Sequence, residues 1–486
     1  MATDYATATA TQLLDQLRRG TLSSTDLLEQ LLARTHHYNP RINAVVTLDE
    51  ERARLAAQRM DERAHSRHHV GVLHGLPMTV KDTMETAGVR TTAGVPALCE
   101  HVPEHNATAV QRLEDAGAVI FGKTNTPAWA ADLQTTNDIF GTTTNPWHAE
   151  HTCGGSSGGA AASVAMGFTP LELGSDIGGS LRNPAHYCGV YSHKPSWGIV
   201  PDRGHVPGPP GTRAPTDLAV LGPVARSAED LALALEVLAG PGDNDRTGWQ
   251  LALPGARHDR LQDYRVAVYL DDACAPVDAQ VGDVLSNAMD RLAAHGAGIV
   301  QQAPPVAMPE ALDVYLRLLY AVTGGGMPQK VRESLRQVAA AADADDQSWP
   351  TRMARYSVLD HADWLVASEL RYRYREQWRV FFGDFDVLLA PVTGVTAPRH
   401  NHDPDVMRRQ ITVNGRQRNY WEQLAWVGPL ATLPGLPATV APLGLAANGL
   451  PVGIQIIGPW LEDYTPIRFA ELMAPITGGF TPPSLD

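Results

Sequence analysis

Cysteine is scarce in this sequence, in which only Cys99, Cys153, Cys188 and Cys274 occur among 486 residues. No two of them stand in a C-x-x-C spacing, which argues against both a disulfide framework and a zinc ribbon. Basic residues are outnumbered too, with 39 Lys and Arg against 53 Asp and Glu, which leaves a formal net charge of −14. This charge argues against a general nucleic-acid binder and against an anionic membrane surface as a partner.

Long apolar runs are also missing. The most apolar stretches, such as residues 231–240, fall well short of the roughly 18 residues that a membrane-spanning helix needs. The first residues have neither a basic segment nor an apolar segment, so no secretory signal is expected. Hydrophobic residues nevertheless make up 44% of the chain, enough for a sizeable core. The sequence predicts a soluble globular protein of a reducing compartment, the cytoplasm.

The order of hydrophobic patterns predicts an α/β protein. Residues 1–70 have a helical pattern, and their polar surface includes His65, His68 and His69. From Pro77 onward, short strands such as 78–80, 118–121 and 171–173 alternate with helices, which favours a layered sheet. Residues 312–382 are mainly helical. Length alone suggests about three domains, but no linker or repeat is visible, so we expect one domain over residues 1–486.

Two motifs match well-known patterns but lack the required context. Residues 117–124 fit the P-loop expression, yet Ala118–Phe121 has the pattern of a buried strand where a phosphate-binding loop is needed. Residues 154–158 fit G-x-S-x-G, but the preceding stretch does not have the pattern of the strand that a nucleophile elbow requires. A nucleotide-binding loop is therefore disfavoured, and the second motif alone is no more than a Gly/Ser turn.

A lysine and two serines give a more specific indication. Ser156 and Ser180 each follow a pair of glycines, and Lys81 stands directly after a buried strand. Consecutive glycines let the backbone approach an anion and present N–H groups to it. Burial would lower the pKa of Lys81 towards that of a usable base, although a lone lysine at a strand end more often extends to water. Together the three residues predict nucleophilic catalysis without a histidine.

With these residues in view, the chain resembles the amidase signature hydrolases over nearly its whole length. The resemblance is strongest in four blocks, which are residues 75–82, 121–127, 154–159 and 178–184. Later stretches, at 222–227, 436–438 and 449–455, are similar to further landmarks of the family. The resemblance implies a three-layer α/β/α sandwich around a large mixed β-sheet, with residues 71–230 as its core and 312–382 as a substrate-facing helical insertion.

The resemblance also implies a Ser-cisSer-Lys triad. Ser180 would be the nucleophile that forms an acyl-enzyme, Ser156 in a non-proline cis peptide would relay the proton, and Lys81 would be the final base. The family's oxyanion hole matches the backbone amides of Ile177, Gly178, Gly179 and Ser180. Its supporting positions match the side chains of Ser157, Asp176 and Arg182. No cofactor and no metal are implied.

The expected partner is a small-molecule amide, with no nucleic acid and no membrane, and a homodimer is an open alternative. The substrate would be an apolar aryl or alkyl amide, with esters and carbamates as further options, chosen by the variable segments 312–345 and 395–430. One rival is the catalytic subunit of a glutamine-dependent tRNA amidotransferase, which would share the triad. A non-catalytic binding protein on the same fold is a second rival, which the intact triad disfavours.

Several other residues have two interpretations. Ala128 and Trp129 replace a common family pattern and would either repack the core or reshape a pocket wall, with repacking favoured. Cys153 is assigned to packing rather than to catalysis. Two histidine pairs are assigned to polar loops rather than to metal binding, and these are His148 with His151 and His400 with His402. Four aromatic residues of the helical segment fit either a stripe in the core or one wall of a pocket, and these are Tyr315, Tyr320, Trp364 and Trp378. Residues 324–326 fit the hinge of a lid.

Overall fold

The structure, a computed structural model, describes residues 5–66, 71–206 and 208–484. His68 and His69 therefore lie outside the described residues. The strands are β1 Val45–Leu48, β2 Pro77–Lys81, β3 Val119–Thr124, β4 Thr136–Asn137, β5 Gly141–Thr142, β6 Leu171–Asp176, β7 Tyr191–Lys194, β8 Val220–Ala225, β9 Arg265–Val268, β10 Gly298–Gln301, β11 Val387–Pro391, β12 Gln410–Val413, β13 Arg416–Asn419, β14 Ala438–Leu445 and β15 Pro451–Ile457.

The helices precede, separate and follow these strands. They are α1 Ala10–Arg19, α2 Ser24–Ile42, α3 Glu50–His65, α4 Thr108–Asp115, α5 Gly158–Ala165, α6 Arg182–Cys188, α7 Ala228–Leu238, α8 Ala279–Ala294, α9 Met308–Gly325, α10 Gln329–Ala341, α11 Trp349–Tyr356, α12 His361–Asp384, α13 Leu424–Val427 and α14 Tyr464–Thr477. Within the described residues no helix is both long and apolar enough to cross a membrane.

Eleven of the strands form one mixed sheet in the order β1-β3-β2-β6-β8-β7-β14-β15-β11-β9-β10. Strand β2 runs parallel to both of its neighbours, β3 and β6, whereas β6 pairs antiparallel with β8. Parallel strands with neighbours on both sides are buried and apolar, as the fully buried β2 is. The carboxyl ends of β2 and β6 therefore meet at one edge of the sheet.

Alternate residues of the strands pack into two separate cores, one on each face of the sheet. In β11, Val387 and Leu389 lie in the first core, whereas Leu388 and Ala390 lie in the second. Residues from α1–α4, α7, α8 and α14 fill the first core, and residues from α5, α6, α9 and α12 fill the second. Since side chains of a strand alternate between faces, this pattern confirms the predicted three-layer α/β/α sandwich.

The predicted helical segment 312–382 is confirmed as helices α9–α12, which extend a few residues beyond it on both sides. Helix α9 ends at Gly325, within the glycine run 324–326 for which a lid hinge was considered. Gly324 is closely packed there, because a Cβ on it would lie 2.1 Å from the carbonyl oxygen of Ser357. Tyr315, Tyr320 and Trp378 are buried in the second core, as the core interpretation predicts, and Trp364 is only partly buried.

Candidate active site

Lys81 is the last residue of β2 and is completely buried. Its Nζ atom lies 2.7 Å from Oγ of Ser156, and 3.0 Å from the Oγ atoms of both Ser157 and Ser175. Lys81 therefore does not extend to water, which was the alternative at the sequence level. The amine is instead surrounded by three hydroxyl groups at the carboxyl end of the parallel strands.

Burial lowers the pKa of Lys81 to about 7, although the nearby carboxylates of Asp176 and Glu172 act in the opposite direction. The cause is the cost of placing a charged ammonium away from water. A large share of the amine is therefore neutral near pH 7. A neutral amine has a lone pair, so it can accept a proton from the hydroxyl of Ser156.

Ser156 is held by a tightly packed Gly/Ser segment that precedes helix α5. The peptide bond between Gly155 and Ser156 is cis, as the resemblance implies. A Cβ on Gly155 would lie 2.6 Å from the carbonyl oxygen of Asp132, so only glycine fits there. Ser157 follows, and its Oγ donates to the backbone carbonyl of Ser175 at 3.1 Å. The segment thereby fixes both hydroxyl groups beside Lys81.

Ser180 lies in the turn between β6 and α6 and is 5% exposed. Its hydroxyl makes no hydrogen bond to any residue of the described ranges, and its carbonyl accepts from the amide of Ser157 at 3.1 Å. The amides of Ile177, Gly178 and Ser180 likewise donate to none of those residues. The Gly179 amide instead donates to Oδ1 of Asp176 at 2.8 Å. Of the four amides that the resemblance assigns to an oxyanion hole, that of Gly179 therefore has an acceptor within the chain.

An ion pair between Asp176 and Arg182 holds this turn, and both side chains are completely buried. Arg182 donates from Nε and Nη2 to the carboxylate at 3.0 Å. Asp176 also accepts from the amide of Leu181. Burial disfavours the ionised carboxyl, but the charge and hydrogen bonds of Arg182 outweigh it and keep the pKa of Asp176 below its usual range. The predicted supporting residues thus contact the turn that carries Ser180.

Replacing Asp176 by asparagine is expected to lower the free energy of unfolding by about 3–5 kcal/mol, because the buried Arg182 would lose its charged partner. Chemical denaturation followed by tryptophan fluorescence measures this change. Asp15→Asn is the matched control, since Asp15 pairs with Arg19 on the exposed surface, and it should change the stability by less than about 1 kcal/mol. Equal effects of the two variants would contradict a structural role for the buried pair.

Two polar residues of this site were missed at the sequence level. Ser175 contacts Lys81, but the predicted strand ended at residue 173, whereas β6 runs on to Asp176. Glu172 is buried on the same strand and accepts hydrogen bonds from Thr79 and Thr124. Burial raises the pKa of Glu172 to about 8. Neither contact has a local signal in the sequence, because both depend on the pairing of β2 with β6.

The structure also tests the alternative interpretations of several motifs and residues. Residues 119–124 form the buried strand β3, and Nζ of Lys123 donates to Thr86 and Thr91, so the rejection of a P-loop is confirmed. Cys153 is buried and its pKa is raised to about 12, which favours packing over catalysis. In the described ranges no three His, Cys, Asp or Glu residues are placed to hold a metal ion. The expected repacking of the core is wrong for Trp129, which is 43% exposed, whereas Ala128 packs against a small cluster that includes Ala93 and Val95.

Known proteins are similar to this chain over nearly its whole length. A family model described as Amidase matches residues 26–466. An indoleacetamide hydrolase of Bradyrhizobium diazoefficiens is 32% identical over 92% of this chain and 82% of its own length. A glutamyl-tRNA(Gln) amidotransferase subunit from a Roseiflexus species is 33% identical over 96% of both chains. The crystal structure of a bacterial aryl acylamidase superposes with a TM-score of 0.80 and 25% identity, covering 98% of this chain and 97% of the other.

Proposed function

This chain belongs to the amidase signature family of serine amidohydrolases, and we propose that it hydrolyses its amide through an acyl-enzyme on Ser180. The observation that carries this proposal is the distance of 2.7 Å between Nζ of Lys81 and Oγ of Ser156, at a buried position where the pKa of Lys81 is lowered. We further propose that residues 1–486 act as one amidase domain, since the strands of the N-terminal half and those of the C-terminal half join in one sheet through the pairing of β7 with β14.

In the proposed acylation, neutral Lys81 takes the proton of Ser156, which takes the proton of Ser180. The Ser180 oxygen then attacks the amide carbon, and the carbonyl oxygen becomes an oxyanion. The amides of Ile177, Gly178 and Ser180 are available to stabilise that negative charge. When the C–N bond breaks, the proton returns from Lys81 through Ser156 to the leaving amine.

In the proposed deacylation, a water molecule replaces the departed amine. The same relay removes a proton from this water as it attacks the ester carbon of the acyl-enzyme. A second oxyanion forms against the same three amides. Its collapse breaks the bond to Ser180 Oγ, which recovers its proton and releases the carboxylic acid. Water and amide are thereby converted to acid and amine with no other reactant.

We propose an apolar aryl or alkyl amide as the substrate, because apolar side chains pack against the Ser180 turn. A Cβ on Gly178 would lie 3.1 Å from Leu424, and one on Gly179 would lie 2.8 Å from Val427. Both residues belong to α13, within the variable segment 395–430. Two relatives, the indoleacetamide hydrolase and the aryl acylamidase, support the same class of substrate.

A second candidate, supported by the 33% identity to the amidotransferase subunit, is glutaminase activity within a complex with partner subunits. The two candidates share the triad and differ in the amide that they accept. For the second, glutamine would be the preferred substrate of the chain, and other subunits would be needed for full activity. The net charge of −14 disfavours direct contact of this chain with RNA but does not exclude the second candidate, in which a partner subunit would contact the RNA.

A panel of amides tests the choice between these functions. We expect 4-nitroanilides and indole-3-acetamide to be hydrolysed in preference to glutamine. The value of kcat/KM should rise about fourfold for each methylene added to a buried acyl chain, since burying one contributes about 0.8 kcal/mol. Ser180→Ala enzyme, purified in parallel, is the blank. Preferred hydrolysis of glutamine would support the second candidate, and no hydrolysis of any amide would contradict both.

A further inference from the structure

Tyr315 links the helical insertion to the turn that carries Ser180. It lies on α9 and is completely buried. Its hydroxyl donates a hydrogen bond of 3.0 Å to the carbonyl oxygen of Ile177. The ring packs so closely on Gly428 that a Cβ there would lie 2.3 Å from a ring carbon. The position of the hydroxyl is therefore set by the packing of the ring.

This hydrogen bond fixes the direction of the next amide. The peptide bond between Ile177 and Gly178 is trans, because the only cis bond of the described residues is Gly155–Ser156. In a planar trans peptide the C=O and the following N–H point in opposite directions. With its carbonyl held by α9, this peptide points the Gly178 N–H away from the helix. No described residue accepts that N–H, so it is free to bind a ligand oxygen.

We propose that Tyr315 is a positioning residue that holds the Ile177–Gly178 peptide in the orientation in which the Gly178 amide stabilises the oxyanion. This inference rests on the proposed function and adds a residue from a helix 138 positions away in the sequence. Without the hydroxyl, the Ile177 carbonyl would lose its partner and the peptide could rotate. A rotated peptide would place a carbonyl oxygen where the oxyanion needs a donor.

The chain offers a matched control on the same helix. Tyr320 is also buried in the second core, but its hydroxyl has no hydrogen-bond partner among the described residues. Tyr315→Phe and Tyr320→Phe therefore make the same chemical change in similar apolar surroundings. Only the first removes a hydrogen bond to the turn.

Steady-state kinetics on the 4-nitroanilide that the wild type hydrolyses fastest test this proposal. Active sites are counted with a fluorophosphonate, so that misfolded protein does not enter kcat. For Tyr315→Phe we expect kcat per active site to fall by about 10-fold to 100-fold with KM within about twofold, because the donor acts only in the transition state. Tyr320→Phe should retain the wild-type kcat within about twofold.

A second measurement separates positioning from general damage to the fold. A trifluoromethyl ketone with the same acyl group forms a tetrahedral oxyanion adduct with a serine, whereas the carboxylic acid product does not. Tyr315→Phe should lower the affinity for the ketone by the same factor by which it lowers kcat/KM. Inhibition by the product should remain unchanged.

Three outcomes are distinguishable. Equal kcat in the two variants, or equal weakening of ketone and product, would overturn the role of Tyr315 while leaving the proposed function intact. A wild-type enzyme that neither hydrolyses the anilide nor reacts with the fluorophosphonate at Ser180 would overturn the proposed function itself. A selective loss of kcat and ketone affinity in Tyr315→Phe would support the inference.

Discussion

Replacing Lys81 by methionine is expected to lower kcat by about 10³–10⁴-fold, since a positioned general base contributes about 10²–10⁴-fold and this one serves both half-reactions. Methionine is of similar length and carries no charge, so the buried site should accept it. Removing a desolvated amine should leave the melting temperature unchanged or raise it. Kinetics on a 4-nitroanilide and thermal melting of the same preparation measure both effects.

Lys123→Met is the matched control for this substitution. Lys123 is also buried at the end of a parallel strand, and burial lowers its pKa to about 8. Its Nζ contacts Thr86 and Thr91 rather than the serines around Lys81. We expect the folded Lys123→Met enzyme to keep its kcat within a few fold. An equal loss in both variants would contradict a specific role for Lys81 as the base.

The pH dependence of the wild type follows from the same group. The base must be neutral, and burial lowers the pKa of Lys81 to about 7. The neutral fraction therefore increases as the pH rises through about 7, so kcat/KM should increase there and level off at alkaline pH. Lys81→Met should lose this inflection. A wild-type profile with its maximum near about pH 5 would contradict a neutral-lysine base.

Ser180→Ala is expected to lower kcat by about 10⁴-fold or more, because no acyl-enzyme can form without the nucleophile. Residues that act as one unit have strongly non-additive effects. Adding Lys81→Met to Ser180→Ala should therefore cause almost no further loss. Ser163→Ala is the control, since Ser163 is a buried serine on α5 whose hydroxyl has no partner among the described residues.

The result for Ser163→Ala should be a kcat within about twofold of the wild type, as for most substitutions that remove no contact. Full activity of Ser180→Ala would contradict the proposed nucleophile. If the fold-loss of kcat in the double variant equals the product of the fold-losses in the two single variants, Lys81 and Ser180 act independently. That result would contradict the relay.

The residues proposed for the chemistry could be identified from the sequence because their local context is distinctive. Lys81 ends a short apolar strand, and Ser156 and Ser180 each follow two glycines. Tight turns need glycine for steric reasons, as the contact of Gly155 with Asp132 illustrates. The family resemblance then added roles that spacing alone left open.

Other parts of the site could not be predicted because they depend on contacts distant in the sequence. The hydrogen bond from Tyr315 to Ile177 spans 138 residues, and nothing in the pattern of α9 distinguishes Tyr315 from Tyr320. The use of the Gly179 amide by Asp176 depends on the exact geometry of one turn. Such contacts follow from tertiary packing rather than from local preference.

The sheet was predicted only in part for a related reason. Short apolar strands such as β2 and β3 were expected close to where they lie. Strand β7 was not expected, since it contains Ser192, His193 and Lys194. Strand β8 was not expected either, since Gly222 and Pro223 interrupt its apolar residues. Partners satisfy two of the three buried polar residues of β7, because Asp463 accepts from the ring of His193 and the carbonyl oxygen of Pro195 accepts from Lys194. Tertiary pairing thus allows a strand that the composition disfavours.

Labelling with a fluorophosphonate followed by peptide mass spectrometry tests the central claim most directly, because this reagent phosphonylates an activated serine hydroxyl and stays attached. The experiment uses the full-length wild type, with Ser180→Ala and Ser163→Ala in parallel. We expect one modified serine, Ser180, in the wild type and in Ser163→Ala, a labelling rate that increases through about pH 7, and no label in Ser180→Ala. Modification of a different serine, or undiminished labelling of Ser180→Ala, would contradict the assignment of Ser180 as the nucleophile.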